Sequence, residues 1–311
     1  MFDIYRYTAD RQAEWDAFIA QSKNGTFLFN RAYMDYHADR FKDCSLMFYL
    51  KEKLYAVLPA NSDGKTFYSH QGLTYGGLIM DERCGAAEVV TLFFEMNQWL
   101  KTLGFTQVVY KPIPYIYASE PAEEDLYALF RCGASITTRG ISTTIDYSAL
   151  KKWHKDRHTA LNRSRRNQII IRKTHNIIPF WTILTTNLQN RHNVSPVHSV
   201  EEMQLLIQRF PNNIILYEAL NPAGETVAGM LAYYTRQVLH SQYLAASLTG
   251  RKSGAIEAIM ETVLQEPGFR YFDFGISTEN GGHYLNEGLI YQKEGFGGRG
   301  ICYDTYEYTL S

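Results

Sequence analysis

Three pieces follow one another late in this 311-residue chain: "QVLHSQYLAAS" (237–247), "LTGRKSG" (248–254) and "AIEAIMETVLQE" (255–266). They read as strand, glycine-bearing turn and helix. A turn entering a helix leaves backbone N–H groups at the positive end of the helix dipole, which suits a phosphate or pyrophosphate. Arg251 and Lys252 would add charge, Ser253 a hydroxyl, and Gly250 and Gly254 the open backbone. The same pattern also serves as an ordinary helix start, so both readings stay open. Downstream, "LNEGLIYQKEGFGG" (285–298) sets a lone lysine, Lys293, between Tyr291 and the glycine-rich run Gly295 to Gly298.

Other candidates lie in irregular segments. The loop "NRHNVSPVHSVEE" (190–202) holds Arg191, His192 and His198. Two imidazoles six residues apart, with no third ligand placed by spacing, do not make a metal site. The loop is either a cap with exposed histidines or a substrate-facing loop in which Arg191 binds an anionic group. "SHQGLTYGGLIMD" (69–81) brings His70 and Tyr75 to a double glycine, and "KPIPYIY" (111–117) puts Lys111, Tyr115 and Tyr117 on a strand that two prolines unzip. Both have the form of cleft walls, or of packing at a domain interface. No GxSxG elbow, HExxH or GxxxxGK[ST] occurs, and no cysteine has a local histidine partner. A reaction that needs positioning and charge stabilisation fits better than covalent catalysis.

The elements that must position these residues alternate along the chain. Antiparallel strands come first, in "SLMFYLKEKLYAVLPANSDGKTFYSH" (45–70), with turns at Glu52-Lys53 and Asp63-Gly64. A long helix over 86–104 closes at Gly104, and the strand after it breaks at Pro112 and Pro114. A helix at 123–133 and a strand at 134–148 complete a first half. Residues 151–173 carry many Lys and Arg and read as one basic helix, either a solvated face or a grip on an RNA backbone. Two helices follow, the second with a capping box at Ser199 and Glu202, then strands, helix and strand again. Similar order in both halves suggests an internal duplication: domains 1–147 and 148–311, α/β (α+β), with mixed, mostly antiparallel sheets flanked by helices.

Composition sets the outer bounds. A formal net charge of −1, with 45% hydrophobic and 20% charged residues, is that of a globular chain with no global footprint for DNA or a membrane surface. No apolar run reaches signal-peptide or membrane-span length, so the expected location is the cytoplasm. Four isolated cysteines, Cys44, Cys84, Cys132 and Cys302, read as buried thiols, and no metal is expected.

With "YFDFGIS" (271–277) leading into "LNEGLIYQKEGFGG", the chain resembles the Fem-type branch of the GNAT acyltransferase superfamily, in its late "fDFG" and "K-x-x-F-G" signatures. The resemblance spans essentially the whole chain and implies two GNAT-like domains in tandem. In the peptidoglycan branch of that family an amino acid passes from aminoacyl-tRNA to a peptide amine of a cell-wall precursor, and in related branches the donor is an acyl-coenzyme A. Here Gln292 stands before the lysine, where that branch has phenylalanine. The resemblance implies that Lys293 stabilises a developing oxyanion or a donor phosphate, a contribution worth several kcal/mol at a fixed site. It also places "LTGRKSG" where GNAT proteins hold the coenzyme A pyrophosphate, although the turn departs from the usual Q/R-x-x-G-x-G/A form. Tyr243, on the strand before that turn, is the proton donor by position.

The reading that follows is an N-acyltransferase using acyl-coenzyme A, with no permanently bound cofactor. Tyr75, Lys111, Tyr115, Arg191 and His198 would reach a small-molecule or peptide amine between the domains. One rival uses aminoacyl-tRNA as donor, and another only binds a glycan or peptide. Lys293→Ala is expected to remove activity and to leave the melting temperature nearly unchanged.

Overall fold

A computed structural model describes residues 1–310, the side chains of Arg191 and His192 excepted. The chain forms two compact units, Met1–Ile141 with Thr278–Tyr284 and Cys302–Ser311, and Ser142–Ser277 with Leu285–Ile301. The mixed, mostly antiparallel sheets flanked by helices are those predicted by the sequence.

In the first unit, the strands Asp3–Arg6, Leu46–Leu50, Lys53–Leu58 and Ile79–Met80 make one antiparallel sheet. The turn between the second and third is Lys51-Glu52, both left-handed, one residue earlier than expected. A second set of strands includes Thr66–Tyr68, which pairs in parallel with Gln107–Tyr110. The connection between this parallel pair contains the helix Ala86–Thr102, which buries Val89, Leu92, Phe93, Met96 and Leu100, at helical spacing, in the core.

Beyond this parallel pair the first unit fills its own gap. Ser69 N–H donates to the Val109 carbonyl, Lys111 N–H to Ser69 Oγ, and Gly76 N–H to the Lys111 carbonyl. A Cβ on Gly76 would stand 1.7 Å from the Ser69 carbonyl oxygen, so only glycine lets the two backbones approach so closely.

The second unit repeats the plan. Ile170–Thr174, Ile214–Leu220, Thr226–Tyr234 and Val238–Ala246 are successive antiparallel neighbours. Val238–Ala246 then pairs in parallel with Tyr271–Ile276, which is antiparallel to the end of Ser135–Asp146. The connection between its parallel strands holds the helices Leu248–Ser253 and Ala255–Val263, and the latter buries most of its length, including Ile259, Met260 and Val263, under the sheet. Two parallel pairs with helical connections are the structural duplication that the order of elements suggested.

The basic segment is not a single helix. Lys155–Arg166 is helical, Gln168 turns left-handed at φ 51°, and Ile170–Thr174 is an edge strand. The three consecutive isoleucines at 169–171 favour an extended backbone. The helices Ile178–His192 and Val200–Arg209 form as predicted, the second with both hydrogen bonds of its capping box. Of the cysteines, Cys44 and Cys84 are buried, but Cys132 is half-buried and Cys302 is exposed on the strand Arg299–Thr309, a correction to the buried reading. Among the described residues no group of His, Cys, Asp and Glu could hold a metal ion, and no helix is long and apolar enough to cross a membrane.

One pH effect arises in the first unit. His70, itself left-handed at φ 73°, packs its ring 5.3 Å from that of His37 and 5.6 Å from Phe41. Burial, with His37, Lys111 and Arg31 adding repulsion, pushes its pKa down to about 3. Between pH 6.5 and about 3 the unfolded chain therefore binds a proton that the folded chain refuses. Stability should fall as pH drops through that window, at most about 1.4 kcal/mol per unit for this residue. His70→Asn, which tolerates the left-handed backbone, should shrink the difference between denaturant titrations at pH 7 and pH 5; an unchanged difference would discard the attribution to His70.

Candidate functional site

The parallel strands of the second unit stay paired only over Val238 to Tyr271, Leu239 to Phe272 and His240 to Asp273. Past that point they part. Asp273 is fully buried at the fork, where it accepts from the hydroxyls of Ser142 and Thr144 and from Nδ1 of His240 at 2.9 Å. Three donors on one buried carboxylate offset its desolvation and fix the place where the strands diverge.

A cleft of about 1320 Å³ opens beyond the fork, lined along one strand by Ser241 to Ala246 and at the other by Phe274. All its lining residues belong to the second unit. Its charge is uneven: Lys155, Arg157, Arg163, Arg251 and Lys293 line it against only Asp156 and Glu257. Arg157 pairs through Nη1 with Glu257 at 2.7 Å and through Nη2 with Asp156 at 3.3 Å, and its Nε, like that of Arg163, is buried without a hydrogen-bond partner among the described residues. Both arginines line the cleft, and their positive charge suits an anionic group there.

Tyr243 faces this cleft. His198 is buried and its Nδ1 lies 2.7 Å from Tyr243 Oη; the ring of Trp181 meets that of Tyr243 edge-on at 5.4 Å. Burial raises the Tyr243 phenol, so it keeps its proton at neutral pH. His198 is thus brought to Tyr243, a pairing that the sequence did not predict.

Compared with solved structures, the chain is similar to FemX at a TM-score of 0.69 and 10% identity, covering 99% of this chain and 97% of that one. It is similar to L-PGS from Bacillus licheniformis at 0.62 and 16%, covering 95% and 90%. A tandem GNAT protein from the clavulanic acid biosynthesis pathway matches at 0.51 and 12%, covering 100% and 99%. The chain has a Fem-like tandem GNAT fold. No protein-family model matches it, and at these identities the likeness is one of fold.

Within this tandem GNAT fold the residues chosen from sequence fall into separate places. Lys293 lies in the last turn of the helix Glu287–Glu294, not in the glycine-rich turn, and lines the cleft. Its Nζ donates to the carbonyls of Gly275 at 2.7 Å and Ile276 at 2.9 Å and to Ser277 Oγ at 2.8 Å. All three ammonium protons are therefore used to hold the parted end of Tyr271–Ile276. Burial lowers its pKa to about 8, against a favourable pull from Asp273, so it stays charged near pH 7.

The segment 248–254 is not an open turn. Leu248–Ser253 is itself helical, Ser247 Oγ accepts from Gly250 N–H, and Ser253 Oγ donates to the Gly250 carbonyl. Gly254, left-handed at φ 81°, lies so close to the helix Lys155–Arg166 that a Cβ would come within 2.1 Å of the Ala160 carbonyl oxygen. Gly250, Ser253 and Gly254 are buried; Lys252 is exposed, and only Arg251 of the five lines the cleft. Arg251 is held there by Asn187 Oδ1 at 2.7 Å and the Ala246 carbonyl at 3.2 Å.

Tyr75, Lys111 and Tyr115 belong to the first unit. Tyr75 is buried against Phe29 and Tyr117, Lys111 Nζ donates to the carbonyls of Leu73 and Gln71, and Tyr115 is exposed. The Arg191 side chain lies outside the described residues. Sequence reasoning did not single out Arg157 or the fork at Asp273. The "DFG" run contained that aspartate, and its place directly before Phe274-Gly275 was the available signal.

Proposed function

We propose that the second unit transfers an acyl group from acyl-coenzyme A to an amine. The observation that carries this reading is the forked parallel pair. Once the strands part, the N–H and C=O groups on that edge of 241–246 lose their parallel partner, and an extended, amide-bearing carrier arm can pair with them as a strand would. The anionic end of the carrier falls to Arg157, Arg163 and Arg251. The acceptor nitrogen attacks the thioester carbonyl; a C–N bond forms, the C–S bond breaks, and the nitrogen releases its surplus proton to solvent. Tyr243, holding its proton at neutral pH, protonates the leaving thiolate and is reprotonated through His198. Lys293 supplies positive charge beside the developing oxyanion, and to contact it directly exchanges one of its three internal hydrogen bonds.

A second donor, aminoacyl-tRNA, is favoured by one specific observation. The segment in which the sequence predicted a pyrophosphate site is filled, while the helix packed behind it, Lys155–Arg166, carries five Lys or Arg residues in 12 positions. In that case the bond broken is the ester C–O, and the same groups serve. The small-molecule or peptide character of the acceptor is common to both readings.

Thermal shift separates them, because a ligand that binds only the folded state stabilises it by about 2.7 kcal/mol at a hundred times its Kd. Acetyl- and long-chain acyl-coenzyme A are expected to raise the melting temperature, with the shift reduced in Arg163→Gln. A shift with charged tRNA alone, lost when Arg163, Arg165 and Arg166 are neutralised, would replace the first donor by the second. No shift and no transfer with any of these donors would end the transferase reading.

A further inference from the structure

The cleft has an apolar side that an acetyl or aminoacyl group does not use. The helix Ile178–His192 turns Leu184 and Leu188 into it, four residues apart on one face, and the loop after the helix adds Val194 and Val197. Val194 is 49% exposed and Val197 81% exposed, so this side presents bare hydrocarbon at the surface. The same helix is tied to both landmarks of the site. Its Trp181 touches the Tyr243 ring, and its Asn187 donates to the Ala246 carbonyl at 3.0 Å, at the far end of the parted strand. From Trp181 to Leu188 the helix advances about 10 Å, so an apolar wall runs away from Tyr243 beside the unpaired strand. Three of the cationic groups, Lys155, Arg157 and Arg163, come from a different helix, while Arg251 is held by Asn187 of the wall helix at the far end of the parted strand. At about 1320 Å³ the cleft also exceeds the range of about 300–1,000 Å³ usual for small-ligand sites.

We propose that the acyl group carried by the donor is a long aliphatic chain, laid along Leu184, Leu188, Val194 and Val197, with the carrier phosphates on Arg157 and Arg163. This rests on the acyl-transfer reading and names its substrate class. The bipolar lining matches one molecule with both characters: a saturated chain at one end of a thioester and a polyphosphate at the other.

The test is calorimetric binding of acetyl-, octanoyl- and palmitoyl-coenzyme A to the intact chain, below the concentrations at which the long esters form micelles. Burying methylenes should tighten binding about tenfold for every two carbons until the wall is covered, so octanoyl-coenzyme A is expected to bind at least about a hundredfold more tightly than acetyl. Leu188→Trp should cut that advantage to below about tenfold and move the optimum to shorter chains. Val197→Asp, at an exposed position that does not endanger folding, should weaken the octanoyl ester and spare the acetyl-to-coenzyme A difference. Equal affinity for acetyl and octanoyl esters overturns the chain proposal and leaves acyl transfer standing, as does tight binding of charged tRNA with neither ester bound. An octanoyl preference unchanged in both variants overturns it too, by placing the chain elsewhere. Failure of every donor to bind overturns the transfer reading itself.

Discussion

Lys293→Met should lower turnover by about 10²–10³-fold, the usual effect of losing a donor at a developing oxyanion, and should also lower the melting temperature by several degrees. The second half of this expectation reverses the one drawn from sequence, and the reason is geometric. Lys293 is not a solvated loop residue; its ammonium holds the Gly275 and Ile276 carbonyls and the Ser277 hydroxyl. Methionine keeps most of the side-chain volume but leaves those acceptors without a donor, at about 1–3 kcal/mol. Part of that loss is offset, because burial of the charge is itself unfavourable, as the fall of its pKa to about 8 shows. The sign follows from linkage: between pH 8 and 10.5 the unfolded chain holds a proton that the folded chain sheds, so the native protein gains stability from Lys293 as pH rises through that window. In the methionine variant this alkaline gain should shrink. Transfer assays and melting curves run side by side decide the matter: full activity would remove Lys293 from the reaction, and lost activity with an unmoved melting temperature would remove its structural role.

Gly254→Ala is expected to be the most damaging small substitution in the second unit, at about 3–5 kcal/mol. Two costs combine. A left-handed backbone at φ 81° is strained for any residue with a Cβ, by roughly 1–2 kcal/mol. The new methyl would also stand 2.1 Å from the Ala160 carbonyl oxygen, so the helix Lys155–Arg166 must move. That helix is bound to the neighbouring Ala255–Val263 by Arg157 on Glu257 at 2.7 Å and Arg165 on Glu261 at 2.6 Å, and its displacement would carry Arg157 and Arg163 out of place. Urea denaturation measures the loss, and a value under about 1 kcal/mol would show that the helix contact is soft.

Much of this architecture was legible in the residues. Periodic apolar positions and caps marked the helices Ala86–Thr102 and Val200–Arg209, and alternating order announced the two halves. What escaped was set by tertiary packing. The basic segment read as one helix because charge dominates its composition, yet left-handed Gln168 and the isoleucines after it end the helix at Arg166. Tyr75 and Lys111, polar and flanked by glycine and proline, lie in the segment that fills the first unit's own gap, a packing that neither stretch announces by itself. The fork is a property of two strands about 30 residues apart in sequence, and neither strand alone indicates that pairing stops at His240 and Asp273. His198 could be read as an exposed cap residue or as a substrate contact, and its pairing with Tyr243 depends on how the loop after Ile178–His192 folds back.

The filled gap of the first unit and the open cleft of the second give the two halves different freedoms to change. Around Ser69, Gly76 and Lys111 each backbone is the other's partner, so a substitution there is felt as a packing fault. Beyond His240 the strand has no parallel neighbour on that edge, and lining side chains such as Leu188 and Val197 can change there without breaking a strand pairing. A lineage carrying this fold could therefore acquire a new donor by altering one half while the other went on supplying stability, which makes the asymmetry between two like-built halves a source of evolvability.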